Sequence, residues 1–306
     1  MSLCFRAKLL KKHATEIASE FMTKRILIQI DSDPHPSAFD SVVAIDSGAD
    51  HLLRYGGVQV TNVEPLVHGA MFTRGSEELQ NTAIFVGGSD VGVAERILKA
   101  CQDAFFGPLR VSLMLDANGC NTTASAAVVT ASRHLDLKNA KAVVLGGTGA
   151  VGRRVAQLLA RDGAEVTLTS RSSERASAVC REMQSKTPSG SLRPLGHPSA
   201  QSLEGFRDAQ IVIGCGAAGV ELLTKERVQQ IESLEVAIDL NAVPPAGIAG
   251  IDVTDKAKPL GNGVGYGAIG VGGLKMKTHR AAVKALFESN DRVLDAAEIY
   301  KIAKSI

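Results

Sequence analysis

The amino-acid sequence predicts an α/β protein with two domains. Its 306 residues suffice for two domains of ordinary size, and 45% hydrophobic with 22% charged residues is typical of globular proteins. Short runs rich in β-branched residues alternate with stretches in which apolar residues recur at helical spacing. From Lys141 onward this alternation becomes regular and contains a glycine-rich turn, VVLGGTGAVG. Such alternation predicts largely parallel sheets covered by helices.

Composition and charge argue against several classes of protein. The net charge of +2 is too small to favour nucleic acid or a membrane surface as a partner, and no apolar run has the roughly eighteen residues of a membrane-spanning helix. The five cysteines form no CxxC pair, so neither a disulfide framework nor a zinc site is predicted. The seven histidines show no metal-ligand spacing and are expected to be surface or packing residues. We therefore expect a cytoplasmic protein without a metal centre.

Residues 1–23 are predicted to be a peripheral extension. The segment is basic and could form an amphipathic helix, but Glu16 and Glu20 argue against a transit peptide. Met22 could be a start codon in its own right. The two alternatives are an over-long reading frame and a real but peripheral helix.

Residues 24–130 are predicted to form the first α/β domain. RILIQID, TAIFVGG and LRVSLML have the length and composition of strands, and AERILKACQDAFF has the apolar spacing of a helix. GGSDVGVAERIL, residues 87–98, lacks the full nucleotide-binding fingerprint, and Ser89 or Asp90 is explained as a helix cap. The helical tail, residues 278–306, is expected to pack back on this domain and complete it.

Residues 131–277 are predicted to form a nucleotide-binding domain of the Rossmann type. ASAAVVTASRHLDL leads into it as a helix, and KAVVLGG, AEVTLTS, AQIVIGC and EVAIDLN follow as strands separated by helices. The polar stretch 185–202 carries three prolines and predicts a long surface connection. Residues 262–273, NGVGYGAIGVGG, predict a glycine-rich loop.

The opening turn of this domain carries a G-x-G-x-x-G pattern that ends at Gly152 and directly follows the strand KAVVL. The first glycine permits a tight turn, the second lets a pyrophosphate approach the backbone, and the third lets the next helix pack on the strand. That helix points free N–H groups at the phosphates. The alternative is a glycine turn without a ligand. The predicted cofactor contacts in this turn are Gly147, Thr148, Gly149, Ala150 and Val151.

The end of the second strand of this domain indicates which dinucleotide is bound. NAD sites usually carry an acidic side chain there, whereas this chain has Ser170, Arg171, Ser172 and Arg175. Guanidinium groups and hydroxyls would bind a ribose phosphate, so NADP is favoured over NAD. For Arg171 the alternative is a solvated surface charge. Two later strand ends complete the predicted cofactor site with Cys215, Gly216, Ala217 and Asn241.

Polar residues at the expected domain cleft are the candidates for substrate binding. LDANGCNTT, between a strand and the crossing helix, contains more polar side chains than a turn and a helix cap require. Two lysines follow a glycine-rich segment in GGLKMKTHR, where a surface lysine is equally common, and DSDPHPSAFD ends the first strand. The predicted candidates are Asp33, Asp116, Asn118, Asn121, Thr122, Lys275 and Lys277.

Several long segments, among them QIDSDPHPSAFD, FFGPLRVSLMLDANGCNTT, DLNAVPPAGIAGIDVTDK and GAIGVGGLKMKTHR, closely resemble NADP-dependent methylene-tetrahydromethanopterin dehydrogenases of bacterial one-carbon metabolism. The resemblance runs from about Thr23 to the end of the chain. It implies a first domain similar to the N-terminal domain of amino-acid-dehydrogenase-like proteins. It also implies a pterin substrate and a homo-oligomer.

The resemblance further implies a reaction and a catalytic residue. A methylene bridge between two pterin-side nitrogens gives a hydride to NADP and becomes a methenyl cation, so no protein nucleophile is needed. Lys275 matches the active-site lysine of the family and would position the pterin and shape the local field, with Lys277 as the fallback. The segment from Asp116 to Thr123 matches the family's segment at the substrate cleft.

Two alternatives to this function remain open on the sequence. The first is a methylene-tetrahydrofolate dehydrogenase, since some members of the family accept tetrahydrofolate as well. The second is a non-enzymatic NADP-binding sensor, although a sensor would have no reason to keep the LDANGCNTT and GGLKMK segments together.

Overall fold

The computed structural model describes residues 23–186, 190–196 and 205–306. The predicted N-terminal extension, apart from Thr23, lies outside the described residues. Among the described helices, none has both the length and the apolar character to cross a membrane.

The first half of the chain alternates strands and helices, as the sequence predicts. Its central strand, TAIFVG, is buried along its whole length, which is expected for a strand covered on both faces. The segment HLLRY, which the sequence did not single out, is an additional strand. The elements are β1 (Ile26–Asp31), α1 (Ala38–Asp46), β2 (His51–Tyr55), α2 (Glu64–Met71), β3 (Thr82–Gly87), α3 (Val91–Asp103), β4 (Ser112–Leu115) and α4 (Cys120–Ala131).

The second half contains the predicted strand–helix repeat. The four predicted strands are present, each preceded or followed by a helix or a turn. The elements are β5 (Lys141–Leu145), α5 (Ala150–Arg161), β6 (Glu165–Ser170), α6 (Ser173–Lys186), β7 (Ser191–Gly196), β8 (Ile211–Gly214), α7 (Lys225–Gln229), β9 (Val236–Asp239), β10 (Lys256–Leu260), β11 (Gly263–Tyr266), α8 (Ala268–Ala285), β12 (Val293–Leu294) and α9 (Ala296–Lys304).

The strands form two sheets. The first has the order β12-β4-β3-β1-β2 and is parallel throughout. The second has the order β10-β11-β9-β8-β5-β6-β7 and is parallel except for the β10–β11 pair. The predicted α/β architecture with parallel sheets is therefore confirmed.

The C-terminal segment returns to the first half of the chain. Strand β12 pairs with β4, with Val293 opposite Leu113. Helix α9 packs against α4, and the Tyr300 hydroxyl donates a hydrogen bond of 2.7 Å to Asp162 at the end of α5. The predicted boundary at residues 277 and 278 falls inside α8.

Two expectations from the sequence are wrong. Of the predicted surface connection 185–202, residues 187–189 and 197–202 lie outside the described residues, and residues 191–196 form β7, which pairs in parallel with β6 at the edge of the second sheet. Pro194 is tolerated there because an edge strand leaves one side of its backbone unpaired. The predicted glycine-rich loop 262–273 is instead strand β11 followed by the first turns of α8.

Candidate functional site

A cavity of about 350 Å³ opens at the carboxyl ends of β1 and β3. In open parallel sheets this edge is where ligands bind. Helix α8 forms one wall, so Lys275 projects from a helix and not from a loop. The lining residues are Asp31, Asp33, His35, Ser37, Phe39, Asp40, Gly88, Ser89, Asn118, Gly119 and Lys275.

Lys275 is held by an aromatic ring and by a glycine. Its Nζ atom lies 4.2 Å from the centre of the Phe39 ring, a cation–π contact. A Cβ atom at Gly119 would stand 3.3 Å from the same Nζ atom, and Gly119 has a φ of +60°. The glycine therefore provides both the backbone conformation and the room that the lysine needs.

Three aspartates, Asp31, Asp33 and Asp40, line the same cavity as this lysine. Asp31 is 1% exposed and accepts hydrogen bonds from the backbone N–H groups of Asp33 and Ser37. Burial raises the pKa of both Asp31 and Asp40, and the Lys275 charge opposes that rise at Asp40. The Asp33 carboxylate accepts from the backbone N–H of Ser89 at 3.0 Å and from its hydroxyl at 2.9 Å. The cavity is therefore lined by three carboxylates and one lysine.

The predicted residues after β4 divide into two groups. Asn118 lines the cavity with a φ of 51°, whereas Asp116, Asn121 and Thr122 are fully buried behind it. Asp116 accepts hydrogen bonds from the backbone N–H groups of Asn121 and Thr122 and from the Thr122 hydroxyl. It thus caps the start of α4, as the simpler explanation of this segment requires.

The pKa of Asp116 is also shifted from its ordinary value. Burial raises its pKa to about 6, although the hydrogen bonds from Thr122 and the Lys275 charge act in the opposite direction. Asn121 donates to the backbone carbonyl of Leu115 and accepts from the Arg154 guanidinium, which also pairs with Glu95. These contacts join α4 and α5 directly behind the cavity.

The alternative lysine, Lys277, lies elsewhere. It is exposed and follows Lys275 by two residues, which is about 200° around the helix axis. It is not among the described residues that line the cavity.

His279 is part of the site and was not singled out in the sequence. It is fully buried one helical turn after Lys275, with its Nε2 atom 3.9 Å from Asp40 Oδ1 and its Nδ1 atom 4.0 Å from Asp116 Oδ2. Burial and the Lys275 charge lower the pKa of His279 to about 3. The four-residue spacing from Lys275 was the available signal, because residues at that spacing share a helix face.

The glycine turn after β5 has the geometry of a phosphate site. A Cβ atom at Gly152 would lie 2.7 Å from the Gly146 carbonyl oxygen, so the turn and α5 pack too closely for a larger residue. At Gly149, a Cβ would contact the Gly146 carbonyl oxygen at 3.4 Å, which is an ordinary van der Waals distance, so the protein itself leaves room there for a methyl group. Among the described residues, no side chain caps the start of α5 at Gly149. The free N–H groups there fit a pyrophosphate.

The end of β6 lies beside this turn. The Thr148 hydroxyl approaches the Ser170 hydroxyl at 3.4 Å, and Ser172 caps α6 by accepting from the Arg175 backbone N–H at 3.1 Å. Arg171 and Arg175 are exposed, and neither forms a salt bridge with a carboxylate of the described residues. Both guanidinium groups are therefore available to a phosphate group.

The remaining predicted cofactor residues end β8 and β9. Gly216 approaches the glycine turn so closely that a Cβ at Gly146 would lie 2.7 Å from its Cα. Cys215 donates its backbone N–H to Leu145, and Ala217 follows in the same turn. Asn241 donates to the Pro245 carbonyl and accepts from the Val243 backbone N–H, so its side chain also holds the turn at the Pro244–Pro245 cis peptide.

A second cavity, of about 620 Å³, links the two predicted sites. Thr148 and Ala150 of the glycine turn line it together with Ser89. Ser89 also lines the cavity that contains Lys275. Asp90, not Ser89, caps α3 through the Val93 N–H, and this leaves Ser89 to bind Asp33. Among the described residues, no group of three or more His, Cys, Asp or Glu side chains could hold a metal ion.

Comparisons with known proteins match both halves of the chain to dehydrogenase families. The family profile described as methylene-tetrahydromethanopterin dehydrogenase, N-terminal, matches residues 38–118, and the one described as shikimate / quinate 5-dehydrogenase matches residues 129–246. A protein of Methylorubrum extorquens named bifunctional protein MdtA is 47% identical over 287 residues, which are 93% of this chain and 100% of that protein.

A second protein of the same organism, named NAD(P)-dependent methylenetetrahydromethanopterin dehydrogenase, is 34% identical over 301 residues, covering 93% of this chain and 99% of its own. Among solved structures, the ligand-free 5-ketofructose reductase of Gluconobacter sp. strain CHM43 aligns with a TM-score of 0.50 at 17% identity, over 93% of this chain and 99% of that one. This last likeness shows a shared fold alone.

Proposed function

The chain belongs to the methylene-tetrahydromethanopterin dehydrogenase family, and we propose that it oxidises 5,10-methylene-tetrahydromethanopterin with NADP+ to the 5,10-methenyl cation and NADPH. The observation that carries the proposal is the cavity of Lys275. Lys275 and three aspartates line it together, and Ser89 lines both this cavity and the one at the glycine turn.

The charges of this cavity suit the reaction. As the hydride leaves, positive charge develops on the N–C–N unit of the pterin. Asp31, Asp33 and Asp40 would stabilise that charge through fixed carboxylates in a half-buried site. No residue has to form a covalent bond, so the protein acts mainly by holding the substrate in place.

Lys275, Asp33 and Asn118 are the residues that we propose contact the pterin. Lys275 would donate a hydrogen bond to the ring system and fix its orientation. Asp116 and Thr122 would act from behind, because both are fully buried, whereas Asn121 lines the 620 Å³ cavity. Lys277 is not assigned a role.

The residues around the glycine turn fit NADP. The glycine turn and the uncapped start of α5 at Gly149 would hold the pyrophosphate. Arg171 and Arg175, with the Ser170 and Ser172 hydroxyls, would hold the ribose phosphate. When bound, the nicotinamide supplies the hydride acceptor.

A hydride-transfer assay on the purified protein tests the proposal. It would combine methylene-tetrahydromethanopterin or methylene-tetrahydrofolate with NADP+ or NAD+ and follow both the reduced nicotinamide and the methenyl product. We expect turnover with the methanopterin substrate and NADP+. Faster turnover of the folate substrate would favour the folate alternative, and no turnover in any combination with NADP still bound would favour a sensor.

We also propose that the chain forms a homo-oligomer in a reducing, cytoplasmic compartment. The exposed face of α1, with Phe39, Val42 and Ile45 each half exposed or more, supports an assembly. The four cysteines of the described residues are free thiols, which is consistent with a reducing environment.

A further inference from the structure

His279 is buried without a hydrogen-bond partner. Its exposure is 0%, and among the described residues neither Nδ1 nor Nε2 has a partner within hydrogen-bonding distance. An unpaired buried polar group costs free energy that an apolar ring at this position would not. The imidazole is therefore expected to have a role besides packing.

The surroundings fix the plane of the ring. Phe85 of β3 stacks on it, with the ring centres 5.8 Å apart and an angle of 14° between the planes. Phe39 of α1 approaches it at 6.2 Å. In this plane Nε2 lies 3.9 Å from the carboxylate of Asp40 on α1, and Nδ1 lies 4.0 Å from that of Asp116 after β4. The remaining charged group nearby is Lys275, one turn earlier on α8.

A neutral imidazole can donate to only one of these carboxylates, because it carries one N–H and one lone pair. Asp116 accepts three hydrogen bonds, two at Oδ1 and one at Oδ2. An ionised carboxylate offers about four acceptor sites, so a site remains on Oδ2, the atom that faces Nδ1. The unprotonated Nε2 would then face Asp40 and repel its carboxylate, which the Lys275 ammonium attracts.

We propose that His279 is a positioning residue, whose Nδ1–H donates to Asp116 and whose unprotonated Nε2 turns the Asp40 carboxylate toward Lys275. A shortening of about 1 Å brings Nδ1 within hydrogen-bonding range of Asp116. The effect on turnover rests on the proposed function, since it requires Lys275 and Asp40 to face the substrate.

Three substitutions separate the two nitrogens. In His279→Asn the side-chain amide nitrogen lies about where Nδ1 lies in histidine. In His279→Gln the amide nitrogen lies about where Nε2 lies. His279→Phe keeps a ring of similar shape but has no nitrogen. We expect kcat to fall about tenfold in the Phe and Gln variants, the effect of one lost buried hydrogen bond, and to recover in the Asn variant. The Kd for NADP should stay unchanged in all three.

His134→Phe is the matched control. His134 is a half-buried histidine whose hydrogen-bond partner is the Tyr266 hydroxyl at 2.9 Å and not a carboxylate of the site. Its loss should leave kcat unchanged. Equal kcat values in the Asn and Gln variants, or wild-type kcat in His279→Phe, would overturn the proposal.

Nitrogen NMR of the wild-type protein tests the same proposal without substrate. The two-bond ¹H–¹⁵N spectrum should show His279, assigned by its absence in His279→Asn, as the neutral Nδ1–H tautomer at pH 7. An Nε2–H tautomer or an imidazolium would overturn the proposal even if every variant folds poorly. An inactive wild-type protein would count against the proposed function, while this spectrum would still decide the tautomer.

Discussion

At the scale of single residues, Lys275 determines most of the proposed chemistry. We expect Lys275→Ala to lower kcat about a hundredfold, which is typical of removing a group that stabilises or orients the reacting atoms. NADP binding, measured by calorimetry, should be unchanged. Lys277→Ala is the matched control, since Lys277 is exposed on the same helix outside the cavity. Equal losses of turnover and NADP binding would mean that Lys275 serves the fold or the cofactor.

Asp116 should give the reaction an acid limit. Because burial raises its pKa to about 6, it becomes protonated below that pH, and the negative charge behind the proposed substrate site is lost. We expect the kcat of methylene oxidation to fall below about pH 6. Asp116→Asn should have a low kcat at pH 7.5 and should lose this acid limb; an unchanged limb in the variant would rule out Asp116 as its origin.

The raised pKa of Asp116 should lower kcat at low pH but stabilises the folded protein there. A raised folded-state pKa makes the contribution of this carboxyl group to stability greatest at low pH, and that contribution is lost as the pH rises through about 6. A fall in kcat between pH 7 and 5 should therefore not be accompanied by a fall in Tm from this group. Thermal melts over the same range separate lost activity from unfolding.

Arg171 should decide the cofactor preference. A guanidinium bound to a ribose phosphate contributes about 1.5–3 kcal/mol, so Arg171→Asp should weaken NADP about 10- to 100-fold and NAD little. Arg181→Asp, an exposed arginine on α6, is the control for the charge change. An unchanged ratio of the two affinities would show that Arg171 is only a solvated surface charge.

At the scale of elements, the packing of α5 on the glycine turn should be intolerant of a methyl group. Gly152→Ala would place Cβ 2.7 Å from backbone atoms of Gly146 and Gly147, so the helix has to shift. We expect a loss of about 1–3 kcal/mol in the free energy of unfolding, and weaker NADP binding, because the same N–H groups face the phosphates.

Gly69→Ala is the control for this substitution. Gly69 lies in α2 with no heavy atom within 4 Å of a built Cβ, so alanine there should stabilise the helix by up to about 1 kcal/mol. Denaturant unfolding and NADP titration of both variants provide the comparison. A Gly152→Ala protein as stable and as tight for NADP as the wild type would contradict the close-packing argument.

Elements also show where sequence patterns are insufficient. The buried, β-branched strands β1, β3, β5 and β9 were predicted because their composition alone separates them from helices. The exposed edge strands β2 and β7 were missed, since a strand with little burial has no hydrophobic period. Their strand conformation comes from pairing with a neighbour, which the sequence does not display.

At the scale of the whole molecule, the C-terminal segment connects the two sheets. Helix α8 leaves the second sheet after β11 and brings Lys275 and His279 to the first, where β12 adds a strand. Lys275 thus reaches a cavity whose other walls come from residues more than 150 positions earlier. This return of the chain explains why a lysine near the C-terminus can face aspartates near the N-terminus.

The proposed oligomer is tested at this scale. We expect light scattering after size-exclusion chromatography to give a mass above the 32.1 kDa of one chain. Val42→Asp, on the exposed face of α1 at 61% exposure, should reduce that mass, because a buried unpaired carboxylate disfavours the contact. Val220→Asp, an exposed valine outside α1, should not. A monomeric wild-type protein would refute the proposal.

The sequence alone determined the family, the α/β fold and the glycine turn, and the comparisons confirm the family and the cofactor class. These features depend on local pattern: strand period, turn glycines and long characteristic segments. The tertiary structure decided how the cavity is assembled. Phe39, Asp40 and Ser89 line it, and His279 lies buried beside Asp40, because α1, the turn before α3 and α8 converge on the carboxyl ends of two strands. The same convergence buries Asp116 and His279, and burial raises the pKa of the first and lowers the pKa of the second. Neither shift follows from the local sequence around these residues.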